Sequence, residues 1–123
     1  MGGPDRGWIG SAKATDATLT KWEQRGKTIP QPKRINAGYR DPVRAFKFGE
    51  KWFQGVGCGS HEVGAQFCIF EAKDDTLMEF TDQGSLYTTN VTYGEVDGNI
   101  VWQPTNVSAN MMECPDLFPL GTS

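Results

Sequence analysis

Two short elements that combine a carboxylate with a proline carry the residues best suited to chemistry. Asp41 lies in Tyr-Arg-Asp-Pro and Glu113 lies in Met-Met-Glu-Cys-Pro. A pair of carboxyl groups, one kept protonated and the other ionised, is what hydrolysis of a glycosidic bond requires. The plainer interpretation is that each proline marks a turn, since proline biases the residue before it towards extended backbone. The two motifs alone leave both interpretations open.

An internal repeat raises the chemical interpretation to equal weight with the turn interpretation, because it places the two acids at related positions. The segment Asp16–Gly26 resembles the segment Asp74–Gly84, with Asp, Thr, Leu and Gly at identical places and Trp22 matched by Phe80. The acid-proline elements recur in the same order, each ahead of an apolar stretch. Self-similarity on this scale indicates a repeated supersecondary unit.

The sequence between the two acids predicts one unit of antiparallel strands. The predicted strands are, in order, Arg44–Phe48, Lys51–Gly57, Ala65–Ala72 and Asn99–Trp102, with Thr76–Phe80 as a turn or short helical corner. Short strands, intervening turns and no helical periodicity are typical of a β-propeller blade. A β-sandwich of short strands is the alternative. Innermost propeller strands line the central channel, so acids at the starts of two such strands would face each other.

The chain accounts for only part of a propeller ring. It holds the end of one blade, one whole blade and the first strand of the next, whereas a ring closes with at least about four blades. We therefore interpret residues 1–123 as a fragment of about two blades. Such an arc leaves sheet faces and strand edges uncovered, and we expect it to be poorly soluble or loosely folded alone.

Composition narrows the possible partners. Twelve Lys and Arg stand against fifteen Asp and Glu, which gives a net charge of -3, and the pI is near 5.1. This is the wrong sign for binding a phosphate backbone, so nucleic acid is not an expected partner. The longest apolar-leaning run, Val63–Phe70, is far shorter than the roughly 20 residues that cross a bilayer. We therefore expect no membrane partner.

The cysteines and the single histidine do not indicate a metal site. Cys58, Cys68 and Cys114 are an odd number in a domain of ordinary size, so they allow at most one bridge and no disulfide framework. Cys58 and His61 have the spacing of metal ligands, but no second pair accompanies them. The sequence therefore predicts no metal.

The motifs around Asp41 and Glu113 resemble the RDP and ECP motifs of glycoside hydrolase family 32. Tyr39-Arg40-Asp41-Pro42 is followed some seventy residues later by Glu113-Cys114-Pro115-Asp116, and the resemblance extends over Trp8–Leu120. Invertases, inulinases and levanases belong to this family. The resemblance implies part of a five-bladed propeller, a retaining hydrolase of β-fructofuranosides such as sucrose or fructans, and no cofactor.

The resemblance also implies roles for four residues. Glu113 would be the general acid/base, and Asp41 would stabilise the transition state without attacking the sugar. Arg40 would hold the fructosyl ring or the acids through its planar fork of donors. Cys114 would contact the substrate region beside Glu113.

The chain departs from the family pattern at the nucleophile. In the family, that role falls to the Asp of a motif similar to Trp-Met-Asn-Asp-Pro-Asn-Gly, and no such string occurs in this sequence. A glycosyl-enzyme cannot form without a nucleophile, so we expect the isolated chain to be inactive. The alternatives are a non-catalytic carbohydrate-binding propeller, a fructosyltransferase homologue and, less favoured, a sister propeller family acting on arabinose and xylose substrates.

The expected location rests on two glycosylation sequons. Asn90-Val91-Thr92 and Asn106-Val107-Ser108 are sequons for N-glycosylation, which suits an extracellular or vacuolar parent protein. No apolar segment follows the first charges, so no signal peptide is visible in this chain.

Overall fold

The computed structural model describes residues 7–88, 91–97, 99–104, 111–118 and 120. Every regular element in these ranges is a β-strand. The nine strands are β1 (Trp8–Ala14), β2 (Trp22–Pro30), β3 (Gly38–Pro42), β4 (Phe46–Phe48), β5 (Lys51–Ser60), β6 (Gly64–Ala72), β7 (Phe80–Thr88), β8 (Val91–Val96) and β9 (Asn99–Pro104). Among the residues described, there is no helix long and apolar enough to cross a membrane.

The central sheet has five strands, and four of them run antiparallel in the order β3-β5-β6-β7, which is the arrangement of one propeller blade. The short strand β4 pairs with the beginning of β5 through the turn at Gly49, whose φ of 62° suits a residue without a side chain. Two hairpins, β1-β2 and β8-β9, form separate two-stranded sheets.

Two of the predicted strand assignments were wrong. The first strand of the blade is Gly38–Pro42, and the predicted Arg44–Phe48 contributes only the short β4. Asn99–Trp102 does lie in a strand, but that strand pairs with β8, and the fourth strand of the blade is β7. Most of β7 is exposed, so it lacks the apolar alternation by which strands are recognised.

The repeat recognised in the sequence is a repeat of hairpins. The β1-β2 turn and the β6-β7 turn each close with a backbone hydrogen bond of 2.9 Å, from Thr15 N to Lys21 O and from Lys73 N to Glu79 O. Leu19 and Leu77 occupy the left-handed region in the two turns, with φ of 58° and 55°. Thr76–Phe80 is therefore a turn leading into β7, which was one of the two predicted forms.

The core lies between the β1-β2 hairpin and one face of the central sheet. Its buried residues are Ile9, Ile29, Ile35, Val56, Cys58, Cys68 and Phe70. Cys58 and Cys68 form a disulfide between β5 and β6, which is the one bridge that three cysteines allow. Tyr39 packs edge-on against Phe70 and ties β3 to this core.

Candidate functional site

Asp41 lies at a distortion near the end of β3. The register of β3 against β5 shifts between Arg40, opposite Gly57, and Pro42, opposite Val56, so Asp41 has no partner residue across the ladder. Its φ of 54° places it in the left-handed region. Pro42 disfavours right-handed helical backbone at the residue before it, and a bulge of this kind turns a side chain out of the regular alternation.

Glu113 lies in segment 111–118, which contacts the same part of the blade. Met112 N donates a hydrogen bond of 3.2 Å to Cys58 O on β5. Cys114 N donates one of 3.0 Å to Asp41 Oδ2. Backbone hydrogen bonds on both sides of Glu113 therefore fix its position relative to β3 and β5.

The structure brings all four predicted site residues together. Arg40 Nη2 lies 3.3 Å from Glu113 Oε1 in an ion pair, and these two side chains are 59% and 63% exposed. Cys114 Sγ lies 3.8 Å from Asp41 Oδ2. An exposed ion pair adds little stability, so the value of the Arg40–Glu113 contact is the orientation that it gives to an acid open to solvent.

The predicted placing of the acids at the starts of strands was wrong in detail. Asp41 lies next to the last residue of β3, and 111–118 is a segment without regular structure outside the nine strands. The two segments correspond through their backbones: Asp41 and Cys114 both precede a proline and both have left-handed φ, 54° and 47°. Glu113 is thus the counterpart of Arg40. Counting back from each proline in the sequence would have shown this.

A network on the core side of β3 supports the site. The Tyr39 hydroxyl donates to Ile29 O at 3.2 Å, and burial, with the nearby Asp82 carboxylate, raises the pKa of this phenol far above its ordinary value. The Tyr39 hydroxyl therefore stays a neutral donor. The structure thus holds β3 from the face opposite to Arg40.

Arg34 is a structural residue that sequence reasoning missed. Its guanidinium contacts Asp82 through two bonds of 2.9 and 2.8 Å, and donates to Ser85 Oγ at 2.9 Å. Burial raises the pKa of Asp82, but the hydrogen bonds from Arg34 and from Gly84 N outweigh it and lower this pKa overall. These contacts join residues 48 and 51 positions apart, so no local pattern in the sequence indicates them.

The described part of the chain contains no cluster of His, Cys, Asp and Glu that could hold a metal ion. Cys58 lies in the disulfide and so cannot ligate a metal together with His61. The charged groups that the structure brings together at the site are two carboxyl groups and one guanidinium.

A four-stranded antiparallel blade is the unit of a β-propeller, and carboxyl groups such as those of Asp41 and Glu113 suit hydrolysis of glycosidic bonds, so fold and site together indicate the class of β-propeller carbohydrate enzymes. Comparison with protein families then gives the particular family: residues 8–123 match the glycosyl hydrolases family 32 N-terminal domain. The chain belongs to this family. Neither the curated proteins nor the solved structures gave a match.

The family confirms the fold class predicted from the sequence. The described residues are all-β, and the chain forms part of the β-propeller of a family 32 N-terminal domain. It belongs among glycoside hydrolases, whose substrates are sugars.

Proposed function

We propose that this chain carries two of the three acids of a retaining β-fructofuranosidase acting on sucrose or fructans. The proposal rests above all on the bond of 3.0 Å from Cys114 N to Asp41 Oδ2. This contact joins the RDP and ECP motifs into one site, so Glu113 and Asp41 act on the same sugar in this proposal.

Glu113 is the general acid/base in this proposal. It protonates the oxygen of the departing sugar while the bond to the fructosyl carbon breaks, and it later takes a proton from the water that releases fructose. Its side chain is mostly exposed and paired with Arg40, so a leaving group can approach its carboxyl. Arg40 holds that carboxyl through the ion pair.

Asp41 stabilises the positive charge that develops on the fructosyl ring. A carboxylate fixed by its backbone bulge needs no reorganisation at the moment of reaction, and preorganised charge of this kind lowers barriers effectively. Arg40, which pairs with Glu113, and Cys114, which bonds to Asp41, contact the substrate in this proposal.

This sequence does not contain the motif that carries the family's nucleophile. We propose that turnover requires a third carboxylate contributed by further propeller sequence, and that residues 1–123 alone do not hydrolyse sucrose. The same observation favours a second candidate, a propeller that binds carbohydrate without turnover. The two candidates differ in whether substitution of Glu113 changes catalysis or only binding.

Glu113→Gln in the full-length protein that contains this chain tests whether Glu113 is the general acid of an enzyme. We expect hydrolysis of sucrose to fall by about 100- to 10,000-fold, the usual contribution of a general acid. Formation of the fructosyl-enzyme from an activated aryl fructoside should change little, because its leaving group departs without a proton. Both rates are measured under single-turnover conditions.

Glu50→Gln is the matched control, because Glu50 lies in the exposed turn between β4 and β5 and should leave both rates unchanged. Equal losses on both substrates in Glu113→Gln would contradict the acid role. A wild-type protein that binds fructans but shows no turnover would favour the binding module.

We also propose that the protein works outside the reducing cytosol, in an extracellular or vacuolar space. The Cys58–Cys68 bridge supports this, because structural disulfides persist in oxidising compartments. The sequon residues Asn90 and Asn106 lie outside the described residues. Peptide mapping without reductant, on protein isolated from its source, should find the peptides of Cys58 and Cys68 joined and the Cys114 thiol free. Free thiols at both Cys58 and Cys68 would contradict the proposed location.

A further inference from the structure

We propose that Gly57 and Gly38 are positioning residues for Glu113, because their lack of side chains lets the acid's segment lie directly on the blade. This inference rests on the proposed function, since it concerns the same acid. It assigns a role to two glycines that the motifs around Asp41 and Glu113 do not include.

The two glycines share one face of the sheet. Gly57 lies opposite Arg40, and Gly38 lies opposite Gly59, in the β3-β5 ladder. Residues that pair across strands point to the same face, whereas Tyr39 and Cys58, the alternate pair, face the core. Glycines at positions 38, 57 and 59 thus leave this face of the blade almost flat.

The segment that carries Glu113 occupies this flat face. A Cβ on Gly57 would lie 2.3 Å from Met112 O and 3.1 Å from Arg40 O. A Cβ on Gly38 would lie 2.1 Å from Met111 Sδ. The collision at Gly57 is with backbone atoms, so no side-chain rotation can relieve it. The collision at Gly38 is with a flexible side chain.

The same contact sets the position of the acid. Met112 N bonds to Cys58 O, the residue after Gly57, and Cys114 N bonds to Asp41 Oδ2. A methyl group at position 57 would lift Met112 away from β5 and weaken the bond that precedes Glu113. A displacement of about 1 Å at a reacting group can cost about 100-fold in rate, so close backbone approach here has a direct consequence for proton transfer.

Gly57→Ala in the full-length protein tests the inference by hydrogen exchange and by kinetics. We expect the Met112 and Cys114 amides to exchange on the order of tenfold faster or more, as the local opening becomes easier. We expect kcat for sucrose to fall about 10- to 100-fold with little change in KM. The first step on an activated aryl fructoside, which needs no acid, should be spared.

Gly55→Ala is the control on the same strand. Its Cβ would meet the Phe67 ring at 2.2 Å and Val43 at 3.2 Å, away from the segment of Glu113. This variant should lose stability, but kcat per folded molecule and exchange at Met112 and Cys114 should match the wild type. Equal effects of Gly55→Ala and Gly57→Ala on these amides, or no effect of either, would overturn the inference.

Gly38→Ala keeps the inference testable if Gly57→Ala does not fold. Gly38→Ala should also speed hydrogen exchange at the Met112 amide. The double variant Gly38→Ala with Met111→Ala should return this exchange to the slower wild-type rate, since the collision is with the Met111 side chain. Failure of either result overturns the inference. Exchange needs no turnover, so these outcomes are independent of Glu113→Gln, whose lack of effect would overturn the proposed function instead.

Discussion

The chain contains two pairs of repeated features, the two hairpin turns and the two bends before a proline, and the pairs differ in what they repeat. The two hairpin turns repeat both backbone and chemistry: Asp16 and Asp74 occupy the same place, and each accepts hydrogen bonds from the residues after it. The two proline bends repeat only the backbone. Their left-handed residues are Asp41 in one and Cys114 in the other.

The difference separates a structural requirement from a chemical one. A turn must satisfy its own backbone donors wherever it occurs, and an aspartate does this locally. A bend before a proline must only change the direction of the chain, so the side chain of its left-handed residue is free to differ. At one bend the acid is the left-handed residue itself, and at the other it is Glu113, the residue before Cys114.

Substitutions at the two left-handed residues should therefore have very different effects, and these are the largest that we expect in this comparison. In the full-length protein, Asp41→Asn keeps an oxygen that can accept from Cys114 N but removes the charge. We expect kcat/KM to fall by about 100- to 1,000-fold on sucrose and on activated aryl fructosides alike, because the stabilised charge forms whichever group departs. Cys114→Ser, at the equivalent backbone position, should cost about tenfold or less, since it exchanges one neutral group for another.

Asp41→Ala adds a further step, because it also removes the acceptor for Cys114 N. The fall in kcat/KM for Asp41→Ala should exceed the fall for Asp41→Asn. Faster hydrogen exchange at the Cys114 amide is the independent measurement. If Asp41→Asn and Cys114→Ser proved equally damaging, the two bends would be chemically equivalent, and the assignment of charge stabilisation to Asp41 would be wrong.

The sequence predicted the parts of the structure whose causes are local. The Asp16 and Asp74 segments resembled each other because each closes its own turn, and a local requirement leaves a local pattern. Strand β7 was missed because its residues are largely exposed at the outside of the blade. It is specified by pairing with β6, which the sequence of β7 alone does not display.

The candidate site was predictable in its members but not in its geometry. Arg40, Asp41, Glu113 and Cys114 followed from the resemblance, and the structure places them in contact. The left-handed backbone at Asp41 and the flat glycine face under Met112 depend on contacts between β3, β5 and segment 111–118. Contacts between segments that are distant in the chain produce no residue spacing from which they could be predicted.

The smallest expected effect concerns the two turns, which differ in the number of bonds that their aspartates accept. Asp16 accepts from Thr18 Oγ1, Thr20 N, Thr20 Oγ1 and Lys21 N, whereas Asp74 accepts from the amide and hydroxyl of Thr76. Hydrogen bonds from Thr20 and Thr18 lower the pKa of Asp16 from 3.8 to about 2, and those from Thr76 lower the pKa of Asp74.

Because the folded pKa of Asp16 is depressed, its ionised form stabilises the fold above the ordinary value of 3.8, and this contribution is lost as the pH falls towards about 2. At neutral pH, Asp16→Asn should lower the Tm of the full-length protein by a few degrees at most, and Asp74→Asn by less. The gap between wild type and Asp16→Asn should close as the pH falls from about 4 to about 2. Calorimetry across this range checks the order, and a Tm loss for Asp16→Asn that persists unchanged at pH 2 would show that its bonds, not its charge, stabilise the turn.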